Sequence, residues 1–278
     1  MSTQPYHFEL GNFKCIVMRD GGHMGSAEFI FCNAPQDDVA QILQKHELEA
    51  DQLGSSWTCL LIDTGKETLL IDTGIGSEVP IGGKLMGLLE DAGYPADSID
   101  VVLLTHGHPD HIGGCTDTKG KLVFKNARYV MGKLEYEFWT SDGNPSKLDD
   151  MMMQFARKNL PVIQEQLRLV SGTDEVLPGI KVIEAFGHTP GHLGLEIQSQ
   201  DEVLLHLADV ALHPLHLEHP EWYARVDINP EQMITTRNEL LKRAEVSGVK
   251  VLLSHFDFPS IGYVLRNGDN WMWKPVIE

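Results

Sequence analysis

The sequence is short of positive charge. Its 278 residues carry 22 lysines and arginines against 40 aspartates and glutamates, a formal net charge of -18. A surface of that sign repels phosphate backbones and anionic lipid heads, so neither nucleic acid nor membrane is expected as a partner. Cysteine is scarce as well. Cys15, Cys32, Cys59 and Cys115 are scattered with no C-x-x-C pair, which predicts four buried thiols rather than a disulfide framework. No apolar run approaches the roughly 20 residues needed to span a bilayer. The opening residues, Met1 to His7, lack the basic and apolar regions of an export signal, and a cytoplasmic location is expected. No G-x-S-x-G is present to supply a serine nucleophile.

What the chain does have is a balanced core composition, with 42% hydrophobic and 22% charged residues, ordinary for a globular protein. No repeat, low-complexity tract or linker divides it, so residues 1–278 are expected to form one domain. Alternating and continuous apolar runs predict strands at Phe13–Met18, Ala27–Cys32, Trp57–Asp63, Glu67–Asp72, Ile99–Leu104, Tyr129–Met131, Lys181–Phe186, Leu193–Ile197, Val203–Leu207 and Lys250–Leu253. The glycine-rich stretch Asp20–Gly25 reads as a turn or rim loop. Helical spacing marks Asp37–His46, a possible insertion, together with Lys84–Ala92, Leu134–Trp139 and Leu148–Leu167, the last broken or kinked by Pro161. A further helix starts at Asn229, which can serve as N-cap, with Pro230 at the first helical position and Gln232 at the third, and runs to about Gly248.

One ten-residue stretch dominates the chemistry. Thr105-His106-Gly107-His108-Pro109-Asp110-His111-Ile112-Gly113-Gly114 puts three imidazoles and a carboxylate within six residues, directly after a buried strand. Neutral imidazole and carboxylate ligands suit zinc, the default metal for such a mix. Other strands also end in ligand-type residues: Asp72, His188, Asp209 and His255. Layered α/β proteins build sites in this way, from polar side chains at the carboxyl ends of apolar strands.

Together these motifs resemble the metallo-β-lactamase superfamily. Thr-His-Gly-His-Pro-Asp-His at 105–111 is similar to its H-x-H-x-D-H signature. Asp72-Thr73-Gly74, Gly187-His188-Thr189-Pro190-Gly191-His192, Ala208-Asp209 and Ser254-His255 follow in the family's order. The resemblance covers roughly residues 57–278 and implies an αββα sandwich of two mixed β-sheets flanked by helices. It further implies two divalent metal ions, zinc first, with manganese, cobalt or iron as alternatives. His106, His108 and His188 would hold one ion and Asp110, His111 and His255 the other. Asp209 would bridge them, and Asp72 would orient a ligand from behind. The implied chemistry is hydrolysis by a hydroxide held between the metals, with Asp110 orienting it and moving a proton.

Subgroup features narrow the expectation. His108 stands where flavodiiron proteins usually carry Glu, and the tail after His255 is too short for a glyoxalase II substrate domain. The quorum-quenching lactonases share the ligand set but typically have Tyr three residues after the bridging Asp, where this chain has Leu212. The overall likeness is to methyl parathion hydrolase and the related lactonases and arylesterases. It extends to Val170-Ser171-Gly172-Thr173 and Ser254-His255-Phe256-Asp257-Phe258-Pro259. This implies a small-molecule lipophilic ester or lactone substrate, phosphotriesters as a side activity, and a homodimer. Alternatives are an acyl-homoserine-lactone lactonase and, from another class, a non-hydrolytic di-iron redox or metal-sensing protein. Trp139, Met152, Leu212 and Phe256 are the expected pocket residues. His192 is expected to pack or support a ligand, and the His213, His216 and His219 loop to form a rim or surface.

Overall fold

A computed structural model describes residues 4–141 and 150–276. The first half runs β1 (Tyr6–Leu10), β2 (Phe13–Gly25), α1 (Ala27–Ile30), α2 (Gln36–Lys45), β3 (Leu53–Asp63), β4 (Thr68–Ile71), α3 (Leu85–Asp91), β5 (Val101–Leu104), α4 (Pro109–Ile112), β6 (Arg128–Gly132), α5 (Lys133–Thr140), α6 (Asp150–Ile163) and β7 (Leu167–Val170). The second runs β8 (Glu175–Leu177), β9 (Ile180–Glu184), β10 (Leu193–Ser199), β11 (Glu202–Ala208), α7 (Leu215–Glu218), α8 (Pro230–Ser247), β12 (Lys250–Leu253), β13 (Ile261–Asn267) and β14 (Asn270–Pro275).

Each half forms one seven-stranded sheet. In the first, the strands lie in chain order, antiparallel from β1 to β4 and parallel from β4 to β7. The second has the order β14-β13-β12-β11-β10-β9-β8 and is antiparallel except for the β11–β12 pair. Period-2 alternation sorts the side chains into layers. Leu60, Ile62, Val101 and Leu103 meet Leu195, Ile197, Leu204 and Leu252 between the sheets. Their neighbours Leu61, Val102 and Leu104 face Leu85, Leu89 and Leu160 of α3 and α6. On the other outer face Leu205, Leu207 and Val251 pack on Met233, Leu240 and Leu241 of α8. This is the αββα sandwich that the resemblance implied.

Local chemistry sets the element ends. Asn229 accepts the Gln232 N–H and Pro230 opens α8, while Gly248, at φ 64°, closes it in the left-handed region. Several sequence expectations shift. Ala27–Cys32 is not a strand: Ser26 accepts the Phe29 N–H and starts the short helix α1. Asp20–Gly25 is not a loop but the end of β2, bulged between Arg19 and Gly21. Pro161 does not end α6, which continues to Ile163; the expected start at Leu148 lies outside the described residues. The loop at His213 contains a helical turn, α7. Cys32 is exposed, whereas Cys15, Cys59 and Cys115 are buried free thiols. No helix among the described residues is long and apolar enough to cross a membrane.

The chain leaves the first sheet at Gly25 and returns at Leu53, two residues paired across β2 and β3. The excursion between them carries α1 and α2. It packs Ala27, Ile30, Phe31 and Leu43 against Leu215 and Trp222 of the second half.

Two buried histidines make the fold sensitive to acid. Burial pushes the His206 and His213 imidazoles down from the ordinary 6.5 to about 4. Between those values the unfolded chain binds more protons than the folded one. The contribution of these two groups to stability is therefore complete above pH 6.5 and falls as pH drops toward 4. The slope is up to about 1.4 kcal/mol per pH unit per histidine. Urea midpoints at pH 7.0, 5.5 and 4.5 test this, and His213→Gln is expected to give a shallower fall.

Candidate metal centre and active site

The strand ends converge in the crevice between the sheets. β5 delivers Thr105 and His106, and α4 begins at Pro109, whose missing N–H suits the first helical position. That turn aims Asp110 and His111 at the crevice from the first sheet. The second sheet contributes His188 after β9, Asp209 after β11 and His255 after β12. Asp209 follows Ala208, whose φ of 46° lies in the left-handed region, and the β11–β12 register shifts there. The kink turns a strand-end carboxylate into the middle of the histidines.

Two ligand groups result: His106, His108, His188 and Asp209, and next to it Asp110, His111 and His255. Within each, the donor atoms all lie within 4.8 Å of one another. His108 Nδ1 sits 3.0 Å from both His106 Nε2 and His188 Nε2. Asp209 Oδ2, a member of the first group, also approaches the second. It is 3.4 Å from His188 Nε2 and 3.7 Å from His106 Nε2 on one side. On the other it is 2.7 Å from His255 Nε2 and 3.5 Å from His111 Nε2. Asp110 Oδ2 is 3.6 Å from both His111 Nε2 and His255 Nε2.

Partners behind the rings turn these atoms inward. His111 Nδ1 donates to Asp72 Oδ2 at 2.8 Å. The same carboxylate accepts the Thr105 N–H at 2.8 Å and its hydroxyl at 2.9 Å. His188 Nδ1 donates to Asp227 Oδ1 at 2.7 Å, and His255 Nδ1 to the Ser56 carbonyl at 3.0 Å. Such partners fix the tautomer that leaves Nε2 as an acceptor. His192 donates from Nδ1 to the Ala185 carbonyl at 2.9 Å and accepts the Asp209 N–H at 3.2 Å. It supports the site without joining either group.

The electrostatics are those of a site built for cations. Burial pushes His106 and His108 well below the ordinary imidazole value. Burial also opposes charge on His188, yet its hydrogen bonds with Asp209 and Asp227 raise it to about 9. The same contest raises His111 and His255, where Asp209 and Asp110 outweigh burial. Burial would raise Asp209, but His255, His111 and His106 hold it well below the usual carboxylate range. His111 Nε2 and Asp209 Oδ1 are buried with no hydrogen-bond partner among the described residues. Inward-facing lone pairs of this kind are what divalent ions with nitrogen and oxygen preferences require.

The matching family model is that of the metallo-beta-lactamase superfamily, over residues 56–255. The chain belongs to this superfamily. An N-acyl homoserine lactonase from Bacillus sp is 24% identical over 162 residues, 51% of this chain and 58% of that protein. The chain thus spans under two thirds of the length of the curated relatives it matches. Among solved structures, AidC, a dizinc quorum-quenching lactonase, superposes with a TM-score of 0.92 at 25% identity, covering 98% of this chain and 97% of that one. The hydrolase AbOPH superposes at 0.91 and 25% identity, covering 100% and 99%. Membership explains why the ligand-type residues recur in this order at strand ends.

A cavity of about 370 Å³ opens over the two groups. Asp110, His108, His188, Asp209 and His255 form its floor, and Trp57, Ile75, Val79, Ile81, Phe29, Ile30 and Val226 are among its walls. Met152 and Leu212 line it as expected. Trp139 and Phe256 do not. Trp139 is 2% exposed on the buried face of α5, its indole N–H donating to Glu135 Oε1. Phe256 lies in the turn after β12 and packs edge-on to Trp273 at 4.8 Å in the outer core of the second sheet.

Sequence reasoning missed three supporting residues: Ser55, Asp227 and Glu135. The Ser55 hydroxyl lies 3.0 Å from His255 Nδ1. Asp227 carries no motif. Glu135 is wholly buried and accepts four hydrogen bonds. Oε1 takes the Gly107 N–H at 2.8 Å and the Trp139 indole at 2.6 Å, and Oε2 takes the Thr189 hydroxyl at 2.7 Å and the Gly191 N–H at 2.9 Å. One carboxylate thereby clamps the His106–His108 loop to the His188 loop. A Cβ at Gly107 would run into the Trp139 indole, and one at Gly191 into the Glu135 backbone. Its only trace in the sequence is a glutamate four residues before a tryptophan in an apolar helix.

Glu135→Ala strands four buried donors. We expect it to lower the unfolding free energy by about 3 kcal/mol or more, read from urea denaturation. Glu135→Gln, which keeps an acceptor, is expected to lose less.

Proposed function

We propose that this protein is a dinuclear metal-dependent hydrolase acting on a lipophilic ester or lactone. The observation that carries the reading is the pair of abutting ligand groups, with Asp209 of the first within 3.5 Å of His111 and 2.7 Å of His255 in the second, on the floor of an apolar cavity. His106, His108 and His188 would hold one divalent ion and Asp110, His111 and His255 the other, with Asp209 between. Zinc fits the nitrogen-rich donors, and manganese, cobalt or iron are the alternatives. Bound there, two such ions supply Lewis acidity and a water acidic enough to serve as nucleophile near neutral pH.

The chain's own residues divide the remaining work. Asp110 reaches both the second ligand group and the cavity, and its side chain is 16% exposed. It is placed to orient the attacking water and to take up its proton for delivery to the leaving oxygen. Asp72, Asp227 and the Ser56 carbonyl hold His111, His188 and His255 in register for it. The apolar walls bind the hydrocarbon part of the substrate and keep bulk water from the reacting bond.

An acyl-homoserine-lactone substrate is the second reading. The AidC superposition over nearly the whole chain favours it. Leu212, in place of the tyrosine typical of those lactonases, favours broader ester and lactone turnover with phosphotriesters as a side activity. A small-molecule substrate, a homodimer and a cytoplasmic location complete the proposal.

Two metals per chain and hydrolysis of aryl esters or lactones are the expected results of elemental analysis and a substrate panel. Asp209→Ala and His106→Ala should abolish turnover together with metal content. Asp227→Ala, which frees the His188 ring, should weaken metal retention by about 10- to 100-fold in chelator competition. Full activity after exhaustive chelation sinks the proposal, as do two irons with oxygen consumption and no hydrolysis.

A further inference from the structure

The His213–His219 segment is rich in histidine, yet none of it enters either ligand group. His216 has a different set of partners. It is fully buried, and both ring nitrogens are engaged. Nδ1 accepts the Leu212 N–H at 3.2 Å, and Nε2 lies 3.1 Å from the Ile30 carbonyl. Since a backbone N–H can only donate and a carbonyl only accept, the ring must be the neutral Nε2–H tautomer. The two residues it joins are 182 positions apart by their numbers and both line the cavity. Leu212 belongs to the loop after the shared Asp209. Ile30 belongs to the excursion that leaves the first sheet at Gly25 and returns at Leu53.

The packing around this ring joins the same two segments. Phe31 sits edge-on to His216 at 5.1 Å and to His213 at 5.6 Å, and packs on Trp222 at 5.4 Å. The excursion meets the second half through this aromatic cluster and through backbone bonds such as Cys32 N–H to the Tyr223 carbonyl at 3.0 Å. Burial, then Arg237 and His213, keeps the His216 imidazole well below its ordinary value, which suits a neutral strut.

We infer that His216 is a positioning residue for substrate selection: it locks the excursion wall, Phe29 and Ile30, against the Leu212 wall and so sets the width of the apolar cavity above the metal centre. The inference rests on the hydrolase reading for its consequence, but not for its geometry. A wall held in place rewards a substrate whose hydrocarbon part spans it; a wall set loose binds that part less well and affects a short substrate less. His216 touches neither ligand group, so its effect is expected in KM for bulky substrates more than in kcat.

The experiment compares metal-loaded wild type with three variants on a matched pair of aryl esters, one octanoyl and one acetyl. His216→Phe keeps the ring packing and removes both hydrogen bonds. His216→Asn presents an acceptor near the Nδ1 position but ends short of Ile30, and serves if the Phe variant does not fold. His216→Gln supplies both an acceptor and a donor.

The octanoyl-over-acetyl ratio of kcat/KM should fall about three- to tenfold in His216→Phe and His216→Asn, mostly through KM, the range expected for losing one or two neutral hydrogen bonds. His216→Gln should recover most of it. Metal content should match wild type throughout. A ratio unchanged in Phe and Asn, or equal losses on both esters, overturns the inference. If wild type hydrolyses neither ester nor any lactone, the hydrolase reading fails instead. Amide hydrogen exchange then decides the geometry without a substrate: residues 27–31 should exchange at least about threefold faster in His216→Phe and His216→Asn than in wild type. Unchanged protection there overturns the inference.

Discussion

Asp209 is a carboxylate 2% exposed to solvent, surrounded by imidazoles from both sheets. An ion removed from water to that extent is tolerable only where opposite charge and hydrogen bonds replace the lost hydration. Much of the architecture answers this requirement. The kink at Ala208 brings the carboxylate in, and the parallel pairs β4–β5 and β11–β12 bring strand ends to the same edge. Asp72, Asp227 and Ser56 then commit one nitrogen of three rings outward, so that the other faces Asp209. A hydrocarbon layer fills the space between the sheets, and at this edge it gives way to histidine.

Protons and metal ions compete for the same lone pairs in such a site. The carboxylates that raise His111, His188 and His255 are the groups that would attract cations, so acid and metal are alternative means of neutralising one arrangement. Asp110 is the exception in placement. Its side chain is 16% exposed against 2% for Asp209, so of the two ligand carboxylates it is the one more open to the cavity.

Local chemistry made much of this legible in the sequence. The 105–111 motif, the strand-end residues and the cap at Asn229 each rest on short-range rules, and the structure brings the named histidines and aspartates to one place. What the sequence concealed was contact between distant segments. Glu135 and Asp227 act through partners more than 35 positions away, such as Thr189 and His188, and no local pattern announces them. Trp139 was misplaced because its helix turns Glu135 and Trp139 together into the interior. Phe256 was misplaced because the turn after β12 carries it away from the crevice into the outer core of the second sheet. Ala27–Cys32 looked like a strand because a short apolar run does not distinguish strand from helix, and Ser26 decided between them.

The excursion between β2 and β3 separates two kinds of inheritance. It branches from one hairpin and rejoins it at the facing residue, so its length and sequence can change while the pairing of the sheet continues on either side. None of the residues of the two ligand groups lies on it, yet Phe29 and Ile30 line the cavity. The shape of the cavity wall can therefore be altered through this one detour in the chain, leaving the two ligand groups and the strands that carry them as they are.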